Sequence, residues 1–447
     1  CTHTGSATSP AMTTVKNSGT INGEYVNGSR QQVAFGFSNV DSSNNTTMTH
    51  IINNGAINLK APESAAMQLK PEDPHDWNPD GGWFTTPPVK VTGTSSANRA
   101  NTGKVLMKAD NQKDINIESS GSFGMITVFN PGLIETSPKA GVTNETKIEK
   151  NLRAARSIEK GGVTDTYLPG GEIGRSGLSN PEYTSGVYNS GTININGDKS
   201  VGVGILQEIQ EVKVGGTINI GTTASLSQGP NQNLLGGNDK KVENTVGIYA
   251  AVPTMPVLNN EKDTMGNTAL GDVGTKTVEF GPFGVTGAPT GAAAGSGTIT
   301  IGENATKSIG LLVADSEEKL NAGKVNGTET SNRTLKRSGS ITANTGANII
   351  VNGDSNYGFV VKSESYKSTF TIGGDGKDDL LESKDTANYG IGINKGTITV
   401  KGTNSIAFAM LKGGDSSNSG SLIVNPLAAP GVQGSKAFYG EQGNFTN

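Results

Sequence analysis

The residues best equipped for chemistry in this 447-residue chain sit together in Asp73-Pro74-His75-Asp76-Trp77-Asn78-Pro79-Asp80-Gly81-Gly82-Trp83-Phe84, which holds both tryptophans. Asp76, Asn78 and Asp80 followed by Gly81 match the first half of a calcium loop, in which oxygen ligands at alternate positions precede a glycine turn. The bidentate glutamate of such a loop is missing, because Pro87 stands at its twelfth position. Calcium at Asp76, Asn78 and Asp80 is therefore one reading, and no other cofactor is implied. Trp77, Trp83 and Phe84 offer a second, a platform of flat rings for a sugar or a partner protein, since rigid aromatics bury much area at small entropic cost. In the plain structural alternative, the segment folds back and its rings cover an end or flank of the molecule. Asp375, Asp378 and Asp379 form a weaker acidic turn.

Catalytic constellations are scarce. The histidines are His3, His50 and His75, too scattered for a zinc site or a Ser-His-Asp triad. No P-loop, G-x-S-x-G or H-E-x-x-H pattern occurs in its required context. Glycoside cleavage wants two carboxyls about 5–10 Å apart on one face. The acids Asp198, Glu303 and Asp354 instead stand in Gly/Asn-rich turns, where corner formation is the simpler role. No catalytic residue is assigned, and the expectation is a non-enzyme. Cys1 is the only cysteine, which excludes an internal disulfide and a cysteine metal site. Followed by Thr2, Thr4, Gly5 and Ser6, it fits the acylated cysteine of a processed lipoprotein; an arbitrary chain boundary is the alternative.

A net charge of −4 gives no general attraction to nucleic acid or anionic lipid. Lys150, Arg153 and Arg156 stand beside Glu145, Glu149 and Glu159, the pattern of a solvated mixed-charge surface, with a short helix expected over 145–160. Only 33% of residues are hydrophobic and 5% aromatic, with 63 glycines, too few apolar groups for one thick globular core. The low net charge and recurrent Ile, Val and Thr argue against disorder. What remains is an elongated fold with a thin core.

Repeats supply that fold. A small residue, Gly, Thr/Ser/Ala and Ile recur as Ser18-Gly19-Thr20-Ile21, Asn54-Gly55-Ala56-Ile57, Ser190-Gly191-Thr192-Ile193, Gly215-Gly216-Thr217-Ile218, Ser296-Gly297-Thr298-Ile299, Ser338-Gly339-Ser340-Ile341, Lys395-Gly396-Thr397-Ile398 and Ser419-Gly420-Ser421-Leu422. The alternation that follows each is a half-buried strand. A second phrase, Ser or Asn, any residue, Gly or Ala, then an apolar run, follows as Ser200-Val201-Gly202-Val203, Ser308-Ile309-Gly310-Leu311, Asn356-Tyr357-Gly358-Phe359 and Ser405-Ile406-Ala407-Phe408. Turns such as Asn196-Gly197-Asp198, Gly302-Glu303-Asn304 and Asn352-Gly353-Asp354 are expected to take the left-handed backbone of tight corners. The expected fold is all-β, a right-handed parallel β-helix over residues 1–447 of about a dozen rungs, roughly 60 Å long. Insertions are expected at about 61–95, 130–186, 226–243, 251–294, 315–336 and 362–387, on a face that often binds ligands.

The runs Asn189-Ser190-Gly191-Thr192-Ile193-Asn194-Ile195, Asn394-Lys395-Gly396-Thr397-Ile398-Thr399-Val400 and Asn244-Thr245-Val246-Gly247-Ile248-Tyr249 resemble passenger repeats of bacterial autotransporter adhesins, with large fusobacterial surface adhesins the nearest in style. The resemblance covers about half the chain. It implies display outside the outer membrane and adhesion to glycans or proteins of host cells or other bacteria. That family carries a C-terminal membrane β-barrel, and whether a barrel since removed or a lipid on Cys1 attaches this chain is left open. A subunit that associates end to end into an extracellular filament or surface array is the second reading, and a polysaccharide-cleaving enzyme the third.

Overall fold

The computed structural model describes residues 11–26, 29, 32–39, 47–71, 104–127, 172–173, 181–205, 209–223, 241–250, 252–254, 277–282, 295–314, 316–320, 323–325, 328–330, 333–362, 390–411, 413–425, 434–441 and 443–447. Three long parallel sheets carry the chain. The first stacks ten strands from Ala11–Asn17 to Asn444–Thr446, with Glu172–Ile173 pairing beside Lys104–Asn111 off this path. The second stacks nine from Thr20–Gly23 to Ser421–Val424, and the third nine from Val33–Asn39 to Lys436–Gly440. The chain visits first, second and third sheet in turn, as in Gly186–Asn189, Thr192–Ile195 and Val201–Ile205, and then climbs one level. This is a parallel β-helix. Among the described residues it has nine rungs and the first strand of a tenth, against about a dozen expected, so the described rod is about 38 Å long at ~4.8 Å per step. The difference arises because insertions consume chain that a pure repeat count assigns to rungs.

The core is a set of vertical columns. In the second sheet Ile57, Ile115, Ile193, Ile218, Ile299, Ile349 and Ile398 point inward at successive levels and are all fully buried. Met125, Val203, Ile248, Leu311, Phe359 and Phe408 continue the interior from the third sheet. A single rung could not close off these side chains; each is covered by its equivalents above and below, at ~1.5–3 kcal/mol per buried aliphatic.

Corners are tied by polar ladders. Asn17 Nδ2 donates to Asn53 Oδ1, Asn53 to Asn111 and Asn111 to Asn189, over 2.7–2.8 Å. Where the second sheet hands over to the third, the backbone N–H of Ser64 donates to Ser122 Oγ, that of Ser122 to Ser200 Oγ, and so through Thr245, Ser308, Asn356 and Ser405 to Ser435. Just before seven of these eight ladder groups the backbone turns left-handed, at Glu63, Gly121, Lys199, Asn244, Lys307, Ser355 and Asn404; Gly434, before Ser435, does not. This corrects the expectation that Asn196–Asp198 and Gly302–Asn304 would take that conformation. At these seven levels the left-handed residue precedes the ladder group whether it is Glu, Gly, Lys, Asn or Ser. Gly353, with φ +74°, does turn as expected. The acids play the corner role anticipated: Asp198 Oδ1 accepts the Glu243 N–H at 2.8 Å, and Asp354 Oδ1 accepts from Thr403 Oγ1 and Asn404 Nδ2.

The glycine of the second phrase has a simple cause. A Cβ on Gly202 would lie 2.5 Å from the carbonyl oxygen of Gly247, one rung up, and Gly124, Gly247 and Gly310 meet the same obstacle.

Candidate functional site

Two features stand apart from the regular ladder. One is the corner at which the third sheet returns to the first. Five connections of 25 residues or more leave there, 72–103, 128–185, 251–276, 315–339 and 363–390. At the other two corners most turns are two or five residues long; the long connections there are 221–245 and 281–297. The expected range 61–95 starts inside the rung, since Ala65–Pro71 is a third-sheet strand, and 251–294 is interrupted by Thr277–Phe280 of the first sheet. Strands from two of these connections pair with each other: Arg333–Ser338 lies antiparallel between Ser316–Leu320 and Val252–Thr254. The corner thus carries structure of its own, built from segments that enter the chain more than 60 residues apart.

The second feature is a titratable cluster on the outer side of the first sheet. Strand register sets His50 beside Lys108, Lys108 beside Gly186, Asp110 beside Tyr188, Gly186 beside Glu211, and Tyr188 beside Lys213. Inward neighbours Ile51, Ala109, Val187 and Val212 join the core, so alternation places the polar groups outside it. Even so, Lys108, Asp110 and Tyr188 are 1%, 0% and 0% exposed. Lys108 Nζ donates to the Glu182 carbonyl at 3.2 Å and lies 5.6 Å from the Tyr188 ring centroid. Gln112 Nε2 donates to Asp110 Oδ2 at 2.8 Å, and Lys213 pairs with Glu211 at 2.7 Å. Among the described residues His50 Nε2, Asp110 Oδ1 and Tyr188 Oη have no hydrogen-bond partner.

Burial sets their charge states. It lowers His50 to about 4, with help from the Lys108 charge, and raises Asp110 to about 6 against the Gln112 hydrogen bond and the Lys108 charge. It lowers Lys108 against Asp110, Glu211 and Glu182, and raises the Tyr188 phenol, with Glu211 and Asp110 adding to the rise. At neutral pH the cluster holds a neutral imidazole, an ionised carboxylate and a protonated phenol. Perturbed groups of this kind mark functional sites in many proteins. Here Lys108, Asp110 and Tyr188 present no reactive atom to solvent, so the cluster acts on the protein around it. Its position is telling: Lys104–Asn111 and Gly186–Asn189 receive the chain as it returns from the two longest insertions, and the Glu182 carbonyl belongs to the turn Pro181–Tyr183 that leads back from the second.

No family model, no curated protein and no solved structure matches this chain. Among the described residues no group of three or more His, Cys, Asp or Glu is arranged to hold a metal ion, and no helix is long and apolar enough to cross a membrane. Of the sequence-predicted site residues, Trp77, Trp83, Phe84, Asp76, Asn78, Asp80 and Cys1 lie outside the described residues, as do His3, His75, Asp375, Asp378, Asp379 and the helix expected over 145–160. His50 is described and belongs to the buried cluster. Sequence reasoning missed the cluster, although a signal exists. His50, Lys108 and Gly186 each precede a ladder asparagine (Asn53, Asn111, Asn189) by three residues, which aligns the first-sheet strands.

Proposed function

We propose that this chain is an extracellular, surface-displayed β-helix that binds glycans or proteins on host or bacterial surfaces through the insertions gathered at one corner of its rod, and that it is not an enzyme. The observation that carries this reading is the concentration of five long connections at the third-to-first corner, two of them joined in a separate antiparallel sheet. A solenoid gives each rung an equivalent corner, so segments inserted there line up along one edge, where extended partners are met. The rung style, similar to autotransporter passengers, and the scarcity of acid–base constellations in the sequence support the same reading. The 72–103 insertion holds Trp77, Trp83 and Phe84, side-chain types that anchor interfaces.

Binding of the purified chain to arrays of host and bacterial surface glycans and to intact cells tests it. Variants would have 72–103, 128–180 or 315–339 replaced, one at a time, by a short connector. The same corner is closed naturally by 206–210, so the rungs need no long insertion. Loss of binding at least tenfold in one variant, with the unfolding midpoint kept, is expected. Equal binding by all three variants, or none by the full chain to any surface, would overturn it.

A further inference from the structure

The outer side of the second sheet differs from every other surface of the rod. Its nine strands stay in register from Thr20–Gly23 to Ser421–Val424. They present two outward columns, one running from Thr20 to Ser421 and the other from Asn22 to Ile423, and every side chain in them is at least partly exposed. Fourteen of the eighteen are Thr, Ser or Asn, and the others are Ala56, Asp114, Ile350 and Ile423. Asp114 is the one ionisable group among these eighteen positions, in a chain that is 17% charged. The first sheet carries the buried charge cluster, and the outer side of the third carries an apolar stripe including Phe123, Val201, Val246 and Tyr249, all buried. Among the described residues, only the second sheet turns outward a long solvent-facing array with a single ionisable group, Asp114.

One column of that array is held in order over its first five levels. Asn58 Nδ2 donates to Asn22 Oδ1, Asn116 to Asn58, Asn194 to Asn116 and Asn219 to Asn194, all at 2.8–2.9 Å. Side chains fixed in this way lose little freedom on contact, and each amide keeps a further N–H and a carbonyl lone pair for a partner. At seven of the nine levels the turn entering this sheet has two residues, which keeps that margin low. The long connections 221–245 and 281–297 leave beside the sheet, not from its strands.

We infer that this face is a lateral self-association surface whose occupant is the same face of a second copy of this chain. Periodicity argues for it: two copies share one ~4.8 Å repeat and stay in step over the whole ~38 Å, whereas a partner whose repeat differs by a tenth drifts by ~4 Å, nearly a rung. Charge argues for it too. A closed dimer needs a two-fold axis. With the faces fully overlapped, an axis along the rod sets one column on the other and Asp114 on Asn116. An axis across the rod sets rung three on rung seven and Asp114 on Asn348. Neither arrangement opposes two carboxylates. Strands of four residues, ~13 Å wide, give ~500 Å² per copy and ~1,000 Å² buried in total, the lower bound for a specific interface. The association is accordingly weak and concentration-dependent, and it does not depend on what the corner insertions bind.

Sedimentation velocity of the full chain from about 1 to 500 μM tests it. A reversible monomer–dimer equilibrium is expected. Combining Thr192→Lys, Thr298→Lys and Thr397→Lys should raise the dimer dissociation constant at least about tenfold through like-charge juxtaposition. The Thr→Ser triple at the same positions should leave it unchanged, and circular dichroism should show both variants folded. Thr217 lies on the middle rung, so Thr217→Cys in a Cys1→Ser background should cross-link copies with a short bismaleimide under either two-fold arrangement, whereas Lys362→Cys on the third sheet should not. A chain that stays monomeric throughout the range overturns the inference. So does a dimer that keeps its affinity in a folded lysine triple, or one that cross-links through Lys362→Cys and not Thr217→Cys.

Discussion

The ring of Tyr188 lies directly over the backbone of Gly186, two residues before it on the same strand. A Cβ at position 186 would stand 2.5 Å from both Cε2 and Oη of that ring. Glycine therefore makes the seat on which Tyr188 rests beside Lys108. Gly186→Ala is expected to destabilise the protein by about 1–3 kcal/mol as the ring is displaced. In a Tyr188→Ala background the same change should cost distinctly less, because the clash is already gone. Denaturant unfolding of the four proteins in this cycle measures the coupling, and additive costs would refute the proposed seat.

Two members of the cluster pull stability in opposite directions as pH falls. Asp110 is raised from 3.8 to about 6, so the folded state holds the extra proton between those values and its contribution grows as pH drops through that window. His50 is lowered from 6.5 to about 4, so the unfolded state holds the extra proton and stability is lost over nearly the same window. Shifts of two units or slightly more are each worth ~3 kcal/mol, and in the wild type they nearly cancel. Relative to wild type, His50→Gln should gain stability between pH 7 and pH 4.5, and Asp110→Asn should lose it. Urea midpoints at the two pH values check the signs. The same pH dependence in both variants would contradict the assigned charge states.

Asn111 is the middle of a buried amide ladder. It accepts from Asn53 at 2.8 Å, donates to Asn189 at 2.7 Å and to the Lys113 carbonyl at 2.9 Å, and is itself fully buried. Asn111→Ala strands a donor below and an acceptor above, and should cost ~3 kcal/mol. Asn219 in the exposed ladder of the second sheet is half-buried, with water available to its neighbour, and Asn219→Ala should cost under ~1 kcal/mol. Thermal unfolding of the two variants side by side gives the comparison; equal losses would show that the buried ladder has no special weight.

Trp83 separates a binding role from a covering role for the 72–103 insertion. On the proposed function, Trp83→Ala weakens surface binding at least tenfold, about 1.4 kcal/mol, and leaves the melting midpoint within a degree or two. Unchanged binding with a lowered midpoint would assign the ring to packing. Both readouts come from one preparation.

The second and third sheets were legible in the sequence because each carries a glycine or small residue that geometry demands. Gly202 and Gly310 face a carbonyl from the next rung, and the Ile that follows each Gly-Thr pair falls into a core column. The first sheet was not legible. Beyond the ladder asparagine that ends most of them, such as Asn53, Asn394 and Asn418, its strands Thr47–Asn53, Glu211–Val214, Ile391–Asn394 and Asp415–Asn418 share no phrase, since their inward positions accept side chains as different as Ala109 and Ile341 and their outward positions differ from level to level. The cluster of His50, Lys108, Asp110 and Tyr188 was hidden for the same reason: rungs separated by insertions bring together residues 58 and 78 positions apart. The corner role of Asp198 and Asp354 was readable from their turns, whereas the left-handed residues beside them were not, because residues as different as Glu63, Lys199 and Ser355 take that conformation before a ladder group.

The stacking of one rung on the next underlies every part of this account, and one distance tests it. Thr20 and Ser421 occupy the same outward column on the first and ninth rungs. With nitroxide labels at Thr20→Cys and Ser421→Cys in a Cys1→Ser background, and the labelled chain diluted in an excess of unlabelled chain so that only distances within one copy contribute, pulsed electron resonance should give a single narrow distribution near 38 Å, eight steps of ~4.8 Å. A distribution centred well below 30 Å, or spread without a dominant distance, would contradict the solenoid.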